Sequence, residues 1–585
     1  MERSSNGDYG FMLKHAIRDC LWLLAALVIT NVPTQAQHAA VKARHGLVTS
    51  ASELASQAGV EILKKGGNAV DAAVATGLAL EVVYPIAGNL GGGGFMLIHL
   101  ANGRNMAIDY RETAPAAAAR NMYLGPDGKL ILGMSTSGWM ASGVPGTVAG
   151  FAEAVEKYGS HMVTWADICE PARRLAAEGF VVSPSMSENF RLFEAILGRS
   201  SDSNGIYLKE GASQEAGKRC FQEDLGKTFT RLQKYGPREF YEGEIAHRIA
   251  DAMSANGGNI TLTDLKDYRV VDREPLIGKY RGFDIVTMPP PSSGGVALLQ
   301  MLGMLEAYDI ASLGQDTTAK YHLFAEVMKR AFRDRSEYLG DPDLVNIPIK
   351  RLLDPSYVRG RMADFDPNKA TPADAIRPGL GKYVAAAMHE SNETTHFSVV
   401  DSAGNAVSNT YTLNGAFGSG VIIPGTGFLM NNEMDDFTSA IGIPNMYGLL
   451  QGEANAIAPG KRPTSSMTPT FVFKDGRLVL ITGSPGGPTI INTVLQVITN
   501  VIDFRMEVQR AVDAPRINEQ WMPDVISYER LGMSPSTAAG LRSEGYRLDE
   551  VARQGDAETL VVDPNTGLLF GAADPRNPEA KAVGH

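Results

Sequence analysis

Thr394 stands where a linker meets a strand, and a threonine at such a junction can serve as a nucleophile. Residues 366–393 are rich in Asp, Asn, Pro, Gly and Lys without a sustained period, whereas residues 395–401 alternate like a strand. A free α-amine on the threonine could remove the hydroxyl proton, because its pKa of about 8 lies near neutral pH. That chemistry requires cleavage between Glu393 and Thr394. By itself, the position is also explained as an ordinary first residue of a strand, where threonine is common.

A second chemical feature is the sequence Gly-Ser-Pro-Gly-Gly at residues 483–487, between an apolar strand and an apolar helix. Acyl transfer develops negative charge on an oxygen, and two glycine N–H groups before a helix form an open pair of donors. The amides of Gly486 and Gly487 could therefore form an oxyanion hole. The alternative is an ordinary turn.

Two polar segments could bind the ends of an amino acid. Residues 431–437, Asn-Asn-Glu-Met-Asp-Asp-Phe, could hold a cationic amino group. A solvated turn or a calcium loop would also explain them, although the EF-hand spacing is absent. Residues 461–470 carry hydroxyls that could bind a carboxylate, or they form only a turn.

The composition is that of a globular protein acting on small molecules. The 585 residues are 44% hydrophobic and 20% charged, with a formal net charge of -11. A nucleic-acid partner would need a basic face, so the charge argues against one. The ten histidines form no HExxH or similar pattern, and we expect neither a metal nor an organic cofactor.

The N-terminus is typical of an export signal. Lys14 and Arg18 precede an apolar run over residues 21–29, and small residues follow at Thr34 and Ala36. The run is too short for a comfortable permanent span, so we expect cleavage after Ala36, a periplasmic or secreted product and no stable membrane span. The alternative is a retained anchor.

Cysteine is too sparse for a disulfide framework. Cys20 lies in the expected signal, and Cys169 and Cys220 follow. An oxidising compartment permits one bond between the latter two, but the sequence leaves that open.

The hydrophobic period changes along the chain. Residues 45–365 are dominated by helical periodicity, interrupted by glycine- and proline-rich segments such as residues 91–94. After residue 394 the period becomes two, which predicts hairpins over residues 395–413 and 471–481, and then a helix from about residue 490.

Ordered along the chain, these motifs resemble those of the γ-glutamyltransferase (γ-glutamyltranspeptidase) family from about residue 40 to near the C-terminus. The matching strings lie at residues 88–96, 109–115, 289–295, 338–342, 394–399, 431–437, 462–467 and 483–487. The resemblance implies an α+β fold, the four-layer αββα sandwich of N-terminal-nucleophile hydrolases, which cleaves itself into two subunits. Residues 1–36 would be the signal, residues 37–393 a helix-rich large subunit, and residues 394–585 a small subunit that pairs with it in one intertwined domain.

The resemblance also implies roles for individual residues. Thr394 matches the nucleophile, Thr412 its hydrogen-bonding partner, and Gly486 and Gly487 the oxyanion hole. A zwitterionic amino-acid head group would be held at its two ends. The matching residues are Asn414, Glu433 and Asp436 for the α-amino group, Arg111, Ser465 and Ser466 for the α-carboxylate, and Tyr447 for a lid found in bacterial members.

Three positions depart from the family pattern or vary within it. Glu393, before the nucleophile, stands at a variable position, and Glu433 stands where some members have Gln. Residues 554–559, Gln-Gly-Asp-Ala-Glu-Thr, are less typical, which affects expectations for secondary substrate contacts.

The expected activity is transfer of the γ-glutamyl group of glutathione to water, an amino acid or a peptide through an ester on Thr394. A related acylase acting on glutaryl-type (cephalosporin) amides is one alternative. A catalytically dead binding scaffold is another, and it would be found as an intact chain rather than as two fragments.

Overall fold

Two antiparallel sheets of seven strands each lie at the centre of the computed structural model. The structure describes residues 39–199, 206–209, 212–381, 394–440, 443, 445–446 and 448–585. The expected signal over residues 1–36 lies outside the described residues, as do Glu393 and Tyr447. Residues 40–585 form one compact unit.

The strands are β1 (Val41–Ala43), β2 (Gly46–Ser50), β3 (Gly93–His99), β4 (Asn105–Tyr110), β5 (Phe180–Val181), β6 (Leu208–Lys209), β7 (Ala212–Ser213), β8 (Arg219–Cys220), β9 (Val271–Arg273), β10 (Leu276–Tyr280), β11 (Phe283–Thr287), β12 (Thr395–Asp401), β13 (Ala406–Thr412), β14 (Thr470–Lys474), β15 (Arg477–Thr482), β16 (Ile517–Asn518), β17 (Ile526–Glu529), β18 (Leu548–Val551), β19 (Thr559–Val562), β20 (Leu569–Ala572) and β21 (Lys581–Gly584). Sheet I has the order β1-β20-β19-β15-β14-β11-β10, and sheet II has the order β21-β2-β12-β13-β3-β4-β9.

The described helices are α1 (Glu53–Lys64), α2 (Ala69–Val83), α3 (Thr147–Tyr158), α4 (Trp165–Glu178), α5 (Pro184–Leu192), α6 (Glu194–Leu197), α7 (Glu223–Tyr235), α8 (Glu239–Glu242), α9 (Glu244–Ala255), α10 (Leu262–Asp267), α11 (Gly294–Leu305), α12 (Ile310–Leu313), α13 (Thr318–Tyr338), α14 (Ile349–Leu352), α15 (Pro355–Gly360), α16 (Thr489–Ile502), α17 (Val508–Asp513) and α18 (Pro535–Glu544). Short 3-10 helices cover Trp139–Ala141, Ala373–Ala375, Glu433–Asp436 and Glu453–Asn455.

Three hydrophobic cores separate four layers. The core between the sheets contains Phe95 from sheet II and Phe471 and Ile481 from sheet I. The opposite face of sheet II packs against helices α1–α4 and α7–α10, and that of sheet I packs against α11, α13 and α16. The predicted αββα sandwich is therefore confirmed.

The hairpin predictions are confirmed, but the helical description of residues 45–365 is wrong in part. Strands β12 and β13 pair as one hairpin, and β14 and β15 as another. Residues 45–365 also supply four strands of sheet II and two of sheet I. Strand β3 was not predicted because both of its faces are buried. A half-exposed strand is recognised by polar residues that alternate with apolar ones, and β3 lacks this alternation.

Two further expectations concern cysteines and membranes. Cys169 and Cys220 are buried with free thiols, and burial raises the pKa of Cys220 to about 11. None of the helices in the described ranges is long and apolar enough to cross a membrane.

Candidate active site

Thr394 directly precedes β12 and lies beside the last residue of β13. The antiparallel register places Thr395 opposite Tyr411, so Thr394 falls next to Thr412. The odd-numbered Phe397 packs in the core next to the helices, so the even-numbered side chains face sheet I. The two threonine Oγ1 atoms are 3.3 Å apart, and both residues are buried. The strand pairing thus places two hydroxyls together between the sheets.

The turn at residues 483–487 connects β15 to the start of α16. Gly486 has a φ of 127° and Gly487 a φ of 53°, conformations that side chains rarely adopt, which explains the glycine pair. Among the described residues, neither amide donates a hydrogen bond. Gly487 lines the cavity described below, whereas Gly486 is buried behind it. Two available donors at a helix N-terminus form a site suited to an anion.

His396 connects the Thr394 strand to this turn. Its Nδ1 lies 2.8 Å from Thr410 Oγ1 and its Nε2 lies 3.1 Å from Ser398 Oγ. The imidazole packs directly against Gly483, where a side chain would collide with it. Burial lowers the pKa of His396 to about 3. The neutral histidine therefore fills the space between the strand that follows Thr394 and the glycine turn.

Thr394 lines a small cavity. Most of the predicted site residues line it. The lining consists of Arg111, Arg335, Thr394, Thr412, Asn414, Glu433, Asp436, Leu449, Ser465, Ser466, Met467, Gly487 and Ile490.

Arg111 is the buried cation of the cavity. Its Nη1 lies 2.5 Å from Glu433 Oε1, and its Nη2 lies 2.5 Å from Asp436 Oδ2. Its Nε also donates to the Pro463 carbonyl over 3.3 Å. Burial opposes the charged guanidinium, but the carboxylates of Glu433 and Asp436 outweigh it and raise the pKa of Arg111. The cationic and anionic groups of the predicted head-group site therefore pair with each other.

Some polar side chains of the loop at residues 431–437 bind neighbouring segments, and others line the cavity. Asn431 accepts from the Gly143 amide over 2.8 Å, and Asp435 accepts from Ser135 Oγ over 2.6 Å. Burial raises the pKa of Asp435 to about 6. The predicted pair, Glu433 and Asp436, lines the cavity.

Asn414 lies at the same end of the cavity. Its φ of 75° turns the chain after β13, and its backbone N–H donates to Thr412 Oγ1 over 2.9 Å. Its Nδ2 donates to the Asn432 carbonyl over 3.0 Å, which fixes the orientation of the amide side chain. The β12–β13 hairpin and the polar loop are therefore joined through Asn414.

Ser465 and Ser466 line the cavity together with Arg335, which was not predicted from the sequence. Arg335, on α13, donates from Nη2 to Ser466 Oγ over 3.0 Å and from Nε to Ser293 Oγ over 2.7 Å. Ser465 anchors the loop, because its carbonyl accepts from the Ser293 amide over 2.7 Å. Arg335 lies three residues before the matching string at 338–342. The feature that could have identified it is a charged residue within a helix that is mostly buried.

The described residues contain no group of three or more His, Cys, Asp or Glu side chains arranged to hold a metal ion. The chemistry that the cavity offers is that of hydroxyls, backbone amides and ion pairs. Roles for Glu393 and Tyr447 stay predictions, because both residues lie outside the described ranges.

Comparison with known proteins places this arrangement in a family. The family model described as gamma-glutamyltranspeptidase matches residues 55–584. The chain is 46% identical over 546 residues to the glutathione hydrolase proenzyme of Escherichia coli (strain K12), covering 93% of each chain. It is 45% identical over 562 residues to the glutathione hydrolase proenzyme of Pseudomonas sp. (strain A14), covering 94% of this chain and 96% of the relative. The crystal structure of a cephalosporin acylase from Bacillus halodurans superimposes with a TM-score of 0.81 at 26% identity, covering 95% of this chain and 98% of the other. The chain therefore belongs to the γ-glutamyltranspeptidase family.

Proposed function

We propose that the protein is an autocatalytically cleaved γ-glutamyltransferase that hydrolyses glutathione and other γ-glutamyl compounds and transfers the γ-glutamyl group to amino acids or peptides. Cleavage before Thr394 would give a large subunit over residues 37–393 and a small subunit over residues 394–585. The observation that carries the proposal is that one cavity brings together Thr394, a buried arginine and two carboxyl side chains. This set is complementary to the two charges of an amino-acid head group.

In the proposed reaction, Thr394 Oγ1 attacks the γ-amide carbonyl of the substrate. The α-amine of Thr394, released by cleavage, accepts the hydroxyl proton. Thr412, at 3.3 Å, holds the attacking hydroxyl in position. The tetrahedral oxyanion receives hydrogen bonds from the Gly486 and Gly487 amides. Collapse of the intermediate releases the amine product and leaves a γ-glutamyl ester on Thr394.

The ester is then resolved by a second nucleophile. Attack by water gives glutamate, and attack by the amino group of an amino acid or peptide gives a new γ-glutamyl amide. The same oxyanion hole serves both half-reactions, since each passes through a tetrahedral intermediate on the same carbonyl carbon.

Recognition of the head group requires the internal ion pairs of the cavity to open. The substrate α-carboxylate would bind Arg111 together with Ser465 and Ser466. The α-ammonium would take the place of Arg111 against the carboxylate of Asp436 and the carboxyl group of Glu433, so that Arg111 and Asp436 each exchange one charged partner for another. Such an exchange retains charge-assisted hydrogen bonds on both sides of the site.

The acylase alternative predicts a different preference. A glutaryl group has no α-ammonium, so it would leave the carboxyl groups of Glu433 and Asp436 without a cation from the ligand. Burying such groups without a partner is costly. The presence of both residues in the lining therefore favours the γ-glutamyl substrate.

The sequence at residues 1–36 supports a further part of the proposal, which is that the enzyme is exported and acts in the periplasm or outside the cell. Mass spectrometry of the exported protein would test this. A large subunit beginning at residue 37 is expected, and a chain retained in the cytoplasm with residues 1–36 attached would contradict it.

The test of activity compares two neighbouring threonines. Purified wild type is expected to cleave a γ-glutamyl anilide and glutathione, and Thr394→Ala is expected to be inactive. Thr395→Val is the matched control, because the Thr395 hydroxyl is buried without a hydrogen-bond partner in the described structure. An inactive wild type, or an active Thr394→Ala protein, would contradict the proposal.

A further inference from the structure

Glu112 is a buried carboxyl group next to the site that has no role in the reaction described above. Its Oε2 lies 3.8 Å from Arg111 Nη1, and the side chain is fully buried without lining the cavity. The glycine run at the start of β3 makes room for it, because a Cβ on Gly93 would lie 2.6 Å from Glu112 Oε2. The fold therefore accommodates a carboxyl group at this point.

Glu112 and Glu433 together present four buried oxygen atoms that lack a hydrogen-bond donor in the described part of the chain. Arg111 Nη1 approaches Glu433 Oε1 to 2.5 Å, but it makes no hydrogen bond with that atom. Two adjacent buried carboxylates without donors would be costly. A single proton between them removes the cost, since a protonated carboxyl is a donor and its neighbour an acceptor.

The surrounding charges favour retention of that proton. The two carboxyls and Asp436 face one cation, Arg111. Burial raises the pKa of Glu112 to about 7, although Arg111 opposes the rise. Burial raises the pKa of Glu433 well above its ordinary value; Arg111 opposes the rise, and the nearby carboxylates of Glu112 and Asp436 add to it. The other ionisable groups that face Glu112 are the buried phenols of Tyr110, Tyr241 and Tyr268, whose pKa values burial raises.

We propose that Glu112 and Glu433 share one proton, so that Glu433 meets the substrate as a neutral carboxylic acid oriented by Glu112. Glu433 donates its O–H to Glu112 and offers its carbonyl oxygen to the α-ammonium, while Asp436 supplies the negative charge. Glu112 is thus a positioning residue that acts through Glu433. The substrate part of the inference rests on the proposed function, whereas the shared proton does not.

Infrared spectroscopy of the purified mature protein tests the shared proton without reference to activity. The C=O stretch of a protonated carboxylic acid lies above the bands of carboxylates and amides and shifts to lower frequency in D₂O. Wild type at neutral pH is expected to show such a band, and Glu112→Gln and Glu433→Gln are each expected to lose the same band. Glu519→Gln is the control that keeps this band, because it changes a different buried carboxyl group that does not line the cavity. A wild-type spectrum without the band overturns the inference even if no variant folds, and so does a band unchanged in both variants.

Kinetics then test the role of the pair toward substrate. Glu433→Ala is expected to lower kcat/KM for a γ-glutamyl anilide, and Glu433→Gln to recover about tenfold of that loss, because the amide retains one donor and one acceptor. A Glu433→Gln protein no better than Glu433→Ala would overturn the neutral-acid role. If Glu112→Gln and Glu433→Gln each remove the infrared band but wild type cleaves no γ-glutamyl compound, the proposed function fails and the shared proton stands. If wild type is active and lacks the band, the shared proton is wrong and the proposed function stands.

Discussion

Thr412 Oγ1 lies 3.3 Å from Thr394 Oγ1 and accepts a hydrogen bond from the backbone N–H of Asn414 over 2.9 Å. Thr412 therefore lies between the Thr394 hydroxyl and the backbone turn at Asn414. The position of Thr394 is linked in this way to the end of the β12–β13 hairpin.

Removing the Thr412 hydroxyl should slow the chemical step. Thr412→Val keeps the shape of the side chain but loses the hydrogen bond, and we expect kcat to fall by about tenfold or less, with KM nearly unchanged. Thr412→Ser retains the hydroxyl and should keep most of the rate. A Thr412→Val protein with wild-type kcat, measured on a γ-glutamyl anilide, would exclude this role.

A side chain at Gly487 should impair turnover far more than folding. Loss of one oxyanion donor typically costs about a hundredfold or more in rate, and we expect Gly487→Val to lose at least this much. Gly476→Val is the matched control, because Gly476 also has a positive φ, of 75°, in a β14–β15 turn with open space around it. Steady-state kinetics and thermal unfolding of both variants make the comparison. A folded, fully active Gly487→Val protein would show that the glycine pair is only a turn.

Asp436 should discriminate between γ-glutamyl and glutaryl substrates. A charge-assisted hydrogen bond to the α-ammonium contributes roughly 1.5–3 kcal/mol, so Asp436→Ala should lower kcat/KM for a γ-glutamyl anilide by about ten- to over a hundredfold. The glutaryl anilide lacks the ammonium and should be a poor substrate of wild type. Maturation does not use the substrate, so the variant should still be cleaved. A wild-type preference for glutaryl, or an equal effect of Asp436→Ala on both substrates, would favour the acylase alternative.

Lowering the pH should reduce the folding stability of the protein through His396. Burial lowers the folded-state pKa of His396 to about 3, so only the unfolded chain takes up its proton as the pH falls below about 6.5. The free energy of unfolding is unaffected by His396 above pH 6.5. Between about pH 6.5 and 3 it falls by about 1.4 kcal/mol per pH unit, because only the unfolded chain is protonated at this residue.

His396→Gln provides the comparison, because Gln can still hydrogen-bond Thr410 and Ser398 but does not titrate. Between pH 7 and pH 4.5, the melting temperature should fall more for wild type than for His396→Gln. Equal losses in the two proteins would mean that the folded state accepts the proton on His396.

The sequence predicts the parts of the structure that depend on local pattern. The position of Thr394 follows from a change of period at one point of the chain, and the β12–β13 and β14–β15 hairpins follow from short-range alternation. Gly486 and Gly487 are recognisable because a strand, a glycine pair and a helix follow one another directly.

The rest depends on contacts between distant segments. Arg111 meets Asp436 across 325 positions, and Arg335 reaches Ser466 across 131 positions. The family resemblance pointed to Arg111 but not to Arg335. The role of Glu112 is invisible in the sequence, because it arises from the absence of donors around it once the chain is folded.

The most direct test of the account is N-terminal sequencing of the fragments in purified wild-type protein. In the proposed maturation, the Thr394 hydroxyl attacks the Glu393 carbonyl, and the peptide C–N bond breaks to leave an ester and a free Thr394 amine. Water then hydrolyses the ester, which releases the Thr394 hydroxyl and the Glu393 carboxylate. The smaller fragment should therefore begin at Thr394, and Thr394→Ala should stay a single inactive chain. A smaller fragment that begins at another residue, or an uncleaved wild-type chain with full activity, would contradict the assignment of Thr394 as the nucleophile.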